Sequence, residues 1–144
     1  MILRTRHTGL VVNNVNLSVK FYESLGFTLW KQEVEHGEFI STVVGIPEVN
    51  IETAKLKAPD GSMVELLQYH SHPDFHEQSS APSNRHGCSH IAFTVENLEL
   101  ACEKVVSLGG DVVNAPVTNP SETVKVAYCH DIDGILIELV EEII

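Results

Sequence analysis

The stretch His90-Ile-Ala-Phe-Thr-Val-Glu-Asn97 repeats the pattern of His7-Thr-Gly-Leu-Val-Val-Asn-Asn14. Continued without gaps, the two bring Leu17 onto Leu100, Ser24 onto Ser107, Leu25 onto Leu108 and Gly26 onto Gly109. Further on, Asp60-Gly61-Ser-Met-Val-Glu65-Leu66 matches Asp133-Gly134-Ile-Leu-Ile-Glu138-Leu139 position for position. A repeat at this spacing is one supersecondary unit built twice. The first copy is the longer, and its extra residues fall among positions 32 to 58, where a lengthened hairpin would accommodate them.

Each copy reads as strand, helix, then strands. Thr5 to Asn13 and Cys88 to Glu96 are rich in β-branched and apolar residues, and Asn14 or Asn16 in the first copy and Asn97 in the second follow as helix N-caps. Leu17, Phe21 and Leu25, then Leu98, Ala101, Val105 and Leu108, recur at helical spacing until Gly26 and Gly109 end each pattern. Strands are predicted over 27–35, 39–44, 51–56 and 63–69, and over 112–113, 124–130 and 135–140. Asp60-Gly61 and Asp133-Gly134 make the turn before each last strand. Residues 70–87 have no periodicity and form a linker. The expectation is an α+β fold of two tandem βαβββ modules, about 1–69 and 88–144, within a single domain spanning 1–144.

A net charge of −11 opposes a phosphate backbone, so neither nucleic acid nor an anionic membrane is an expected partner. No apolar run approaches the ~18 residues of a membrane span. Arg4, Arg6 and His7 stand where a signal peptide would be apolar. Cys88, Cys102 and Cys129 form no C-x-x-C pair, and a reducing cytoplasm fits them best. Cys102 and Cys129 lie in helix and strand patterns, where a thiol serves as a small buried hydrophobe.

Strand alternation places Glu65 on a face with Met63 and Leu67, and Glu138 on a face with Leu136 and Val140. A carboxylate held among apolar side chains costs several kcal/mol unless it is protonated, hydrogen-bonded or bound to a cation. Two such glutamates recur at equivalent positions, each with a histidine at the start of its module. A twofold relation between modules would set His7, Glu65, His90 and Glu138 around one divalent ion. Two nitrogens and two carboxylates suit Ni, Co, Zn, Mn or Fe.

These segments, together with N-V-N-L-S-V-K-F-Y-E-S-L-G-F from Asn14 to Phe27 and D-I-D-G-I-L-I-E-L from Asp131 to Leu139, resemble the vicinal oxygen chelate superfamily. That family includes glyoxalase I, methylmalonyl-CoA epimerase, extradiol dioxygenases and bleomycin-resistance proteins. The resemblance implies modules curled into an open mixed β barrel around a metal, with helices outside. It maps the ligands of the glyoxalase I type onto His7, Glu65, His90 and Glu138. It further implies a metal-dependent lyase or isomerase acting on a small-molecule substrate, Glu138 or Glu65 serving as general base, and a homodimer. Extradiol dioxygenases resemble a two-His, one-carboxylate site, so the fourth ligand, Glu65, favours proton transfer. An Fe(II) dioxygenase or a non-catalytic antibiotic-binding protein are the alternatives. Arg6, Lys125, Arg85 and Lys57 supply the little positive charge expected near the cavity, and Trp30, Phe39 and Tyr128 are candidates to line it. His70, His72, Asp74, His76 and His86 fit no fixed ligand geometry and read as polar linker. His130 reads as a turn residue.

Overall fold

The computed structural model describes residues 1–74 and 82–143. The chain divides between residues 76 and 77 into two compact units.

The first unit opens with strand β1 (Thr8–Val11), followed by helix α1 (Val15–Ser24), strand β2 (Thr28–His36), helix α2 (Glu38–Val44) and strands β3 (Asn50–Lys57) and β4 (Met63–Tyr69). Its mixed sheet runs β1-β4-β3-β2, with β1 parallel to β4 and the other pairs antiparallel. The second unit repeats the plan with β5 (Ile91–Thr94), α3 (Leu98–Ser107), β6 (Asp111–Val112), β7 (Val117–Thr118), β8 (Val124–His130) and β9 (Leu136–Glu142). Its sheet runs β5-β9-β8-β6, with β7 also on β8 and β5 parallel to β9. The described strands therefore form two mixed sheets and no closed barrel, an α+β fold as the sequence predicts.

The helices begin where the sequence places their caps. Asn14 Oδ1 accepts from the Leu17 N–H at 3.1 Å and Asn97 Oδ1 from the Leu100 N–H at 2.9 Å. Asn16, the alternative cap, instead accepts from Gln32 Nε2. The last strand of each unit supplies a second acceptor to the helix start: Gln68 Oε1 takes the Val15 N–H at 2.9 Å and Glu141 Oε2 takes the Leu98 N–H at 2.7 Å. Gly26 and Gly109 follow the helices at φ +113° and +97°, backbone that a side chain would strain.

The buried stripes differ in part from the predicted ones. In α1, Val15, Ser18, Val19 and Tyr22 face the sheet along with Phe21, whereas Leu17 is 54% exposed. The stripe begins at the first helical residue, and the leucine falls on the outer face. In α3 the buried residues are Leu98, Cys102 and Val105. They meet Ala127, Cys129, Ile137 and Leu139 of the second sheet in its core.

The predicted strand 39–44 is helix α2. Gly37 at φ +103° and Gly45 in the left-handed region bracket it, and the Gly45 N–H closes on the Ser41 carbonyl. Its β-branched residues cost a few tenths of a kcal/mol each in a helix, and Glu38 in the first turn and the left-handed Gly45 at the end offset part of that. The added length of the first copy is thus a longer β2 and a helix inside the β2–β3 connection. β7 lies outside the predicted strands; Pro116 and Pro120 flank it and the sequence there reads as turn.

Candidate metal centre

Cross-strand partners share a face of a sheet, so register fixes what surrounds each glutamate. In the first unit Gly9, Glu65, Lys55 and Lys31 form one row across β1, β4, β3 and β2. Helix α1 packs on the other face, where Gln68 points to cap it. In the second unit Ala92, Glu138 and Tyr128 form the equivalent row. The reverse face carries Glu141, which caps α3, and Cys129, whose sulfur lies 4.0 Å from Cys102 of that helix.

Within each unit one imidazole meets one carboxylate. His7 Nε2 lies 2.8 Å from Glu65 Oε2, and His90 Nε2 lies 3.0 Å from Glu138 Oε2. Glu65 is the more enclosed carboxylate, its side chain 12% exposed against 23% for Glu138. Among the described residues no three His, Cys, Asp or Glu side chains gather into a group able to hold a metal; the donors come two to a unit.

The two pairs have different neighbours. Lys55 Nζ stands 3.7 Å from Glu65 Oε1, so a cation faces the carboxylate oxygen turned away from the histidine. At the matching place Tyr128 sets its ring edge-on to His90 at 5.1 Å, with its hydroxyl 3.5 Å from Nε2. Burial, and then the charge of Glu138, pushes the Tyr128 phenol above its ordinary 10.0. The phenol therefore keeps its proton and stays a donor at neutral pH.

The donor chemistry fits a divalent cation. Ser89 Oγ donates its single proton to the Ser83 carbonyl at 2.6 Å, so toward His90 Nδ1, 3.0 Å away, it acts as acceptor. Nδ1 then carries a proton, and in the neutral ring the lone pair is on Nε2, the nitrogen that faces Glu138. A lone pair facing a carboxylate is repulsive unless a proton or a metal ion lies between them. A second partner that fixes the tautomer in this way is typical of ligating histidines.

Other predicted residues have separate tasks. Lys125 pairs with Glu99 of α3 at 2.9 Å and Glu141 at 3.3 Å, on the helix side of its sheet, so it is removed from the face of Glu138. Lys57 lies 4.3 Å over the Trp30 ring, whereas Phe39 is 78% exposed on α2. Arg6 and Arg85 are exposed. His70 is engaged by Glu52 at 2.8 Å, and His76 lies outside the described residues. His130 is no turn residue: it ends β8, is 6% exposed, and meets Asp111 at 2.8 Å.

Sequence reasoning missed Lys55 as a neighbour of Glu65 and the pairing of Tyr128 with Glu138. A signal was available. Lys55 and Glu65 are equidistant from Asp60, and Tyr128 and Glu138 are equidistant from Asp133, so a hairpin centred on either aspartate pairs them.

Two units of one plan, each joining its first and last strands in parallel and setting a histidine beside a glutamate there, define an internally duplicated chain. The chain belongs to the Glyoxalase/Bleomycin resistance protein/Dioxygenase superfamily, whose model matches residues 4–139. It is 30% identical over 143 residues to a lactoylglutathione lyase of Escherichia coli O157:H7, covering 97% of this chain and 93% of that one. It is 29% identical over 137 residues to a probable lactoylglutathione lyase of Synechocystis, covering 94% and 92%. Among solved structures, a glyoxalase family protein from Bacillus cereus matches with a TM-score of 0.92 at 28% identity over 99% of this chain and 96% of that one. No helix of the described residues is long and apolar enough to cross a membrane.

Proposed function

We propose that His7, Glu65, His90 and Glu138 hold one divalent cation and that the chain is a lyase or isomerase of the glyoxalase I kind. The observation that carries this reading is the recurrence of a histidine–glutamate pair, at 2.8 and 3.0 Å, at matching places in both units. Each unit offers half of a four-ligand set, and the halves come together either within one chain or between the chains of a homodimer. The lactoylglutathione lyases it resembles support the reaction class.

A divalent ion bound there supplies Lewis-acid polarisation of a carbonyl oxygen, which acidifies the adjacent C–H. The protein's part is to move that proton from one carbon to its neighbour. Glu138 is the better placed base, because Glu65 has Oε2 on His7 and Oε1 facing Lys55, while Glu138 is the more open carboxylate. Glu138 takes the proton from one carbon and returns it to the next, ending unchanged. The Tyr128 hydroxyl stands as a neutral donor beside His90, the partner of Glu138.

The test is to convert Glu65 and Glu138 separately to Gln and measure Ni2+ affinity and turnover of a 2-oxoaldehyde–thiol hemithioacetal independently. Each change is expected to weaken Ni2+ binding by on the order of tenfold or more. Glu138→Gln should also abolish turnover of the fraction that remains metal-loaded. Wild-type protein that takes up no divalent metal, or full turnover in both variants, overturns the reading.

A further inference from the structure

We infer that Lys55 is a substrate-binding residue that makes this site favour, among carbonyl compounds, small molecules carrying an anionic oxygen group beside the reacting carbonyl, such as 2-oxo acids. The inference rests on the metal site proposed above, and it adds the substrate class.

The chain holds nine basic residues against twenty acidic ones, yet three of the nine, Lys31, Lys55 and Lys57, cluster on β2 and β3. Lys31 and Lys55 lie in the Glu65 row, and Lys57 stands two residues along β3 on the same face. Two of the three are occupied. Lys31 makes a close pair with Glu33 at 2.8 Å, and Lys57 lies over Trp30. Lys55 differs, because among the described residues its recorded ion pair is to Glu65 alone, at 3.7 Å, too long for a hydrogen bond. An ammonium has three donors, and this contact uses none of them well.

Charge bookkeeping then requires a further anion. A carboxylate shared with a divalent ion no longer neutralises the lysine beside it. Two glutamates balance the ion, which leaves the ammonium in excess at a side chain only 27% exposed. The complementary ligand brings its own negative oxygen to Nζ while a neighbouring oxygen is presented to the ligand pairs. A carboxylate adjacent to a carbonyl has that form. Tyr128 occupies the matching position in the second unit, so only the first unit carries a cation there.

The single tryptophan, Trp30, sits against Lys57 on the same face and provides a fluorescence readout. The experiment titrates Ni2+-loaded wild type, Lys55→Met and Lys55→Arg with pyruvate and with the uncharged, similarly sized hydroxyacetone, following Trp30 and heat release. Ni2+ affinity is measured separately on each protein. Wild type is expected to prefer pyruvate by about tenfold or more, the scale of one charge-assisted hydrogen bond. Lys55→Met should bring the two ligands within about threefold while leaving hydroxyacetone affinity unchanged, and Lys55→Arg should restore the preference. An unchanged preference in Lys55→Met overturns the inference. So does a loss confined to Ni2+ affinity, which would make Lys55 only a support for Glu65. Failure of the wild type to bind Ni2+ overturns the metal site first and, with it, the charge excess at Lys55, whereas Ni2+ binding without a pyruvate preference overturns the inference alone.

Discussion

Thiol chemistry gives a sharp reading of how individual side chains are placed. Cys88 is exposed, whereas Cys102 and Cys129 are buried against each other between α3 and its sheet. Burial, followed by the neighbouring thiol, pushes Cys129 up to about 12, and burial raises Cys102 as well. Because the thiolate is the reactive form, the native protein should react rapidly with Ellman's reagent at one cysteine near pH 8, and at all three only after denaturation. Fast reaction of a second thiol in the native state would contradict this packing. The His7–Glu65 and His90–Glu138 pairs were legible from the sequence because the repeat presents the same two residue types twice. Lys55 and Tyr128 were not, because a cross-strand neighbour depends on register, and neither residue has an identical counterpart in the other copy to mark it.

At the level of elements, the loop from α3 into β6 is the tightest passage. A methyl group on Gly110 would stand 2.4 Å from the His130 carbonyl and 2.7 Å from Val105 Cγ1, while its N–H bonds the Val105 carbonyl at 3.0 Å. Gly110→Ala is therefore expected to destabilise the protein by about 2 kcal/mol through forced displacement of β8 from α3, measured by urea unfolding. A neutral result would show that the β8 backbone yields freely. Element identity was readable wherever caps and alternation agreed, as at Asn14, Asn97 and the two Asp-Gly turns. It failed at Phe39 to Val44, where β-branched residues suggested a strand and the glycines at both ends decided for a helix. The exposed Leu17 shows the same limit: spacing identifies a helix, but which face meets the sheet depends on where its first turn starts.

For the molecule as a whole, the charge of −11 and two donors in each unit make divalent cations a natural source of stability. Ni2+ at a hundredfold above its Kd should add about 2.7 kcal/mol to the folded state, raising Tm by on the order of 8 °C for a chain of this length. Chelation should reverse the rise, and Mg2+ at the same concentration should reproduce little of it, since it prefers all-oxygen ligation. An equal response to both ions would indicate diffuse screening instead of a nitrogen-containing site.

The acceptors Gln68 and Glu141 sit three residues beyond Glu65 and Glu138, on the reverse side of the same strands. Slipping either strand by a single position would turn its carboxylate under the helix and, in the same movement, unmoor the first helical turn. A misaligned chain thus forfeits its anchorage as well as its ligand, so only one alignment keeps both.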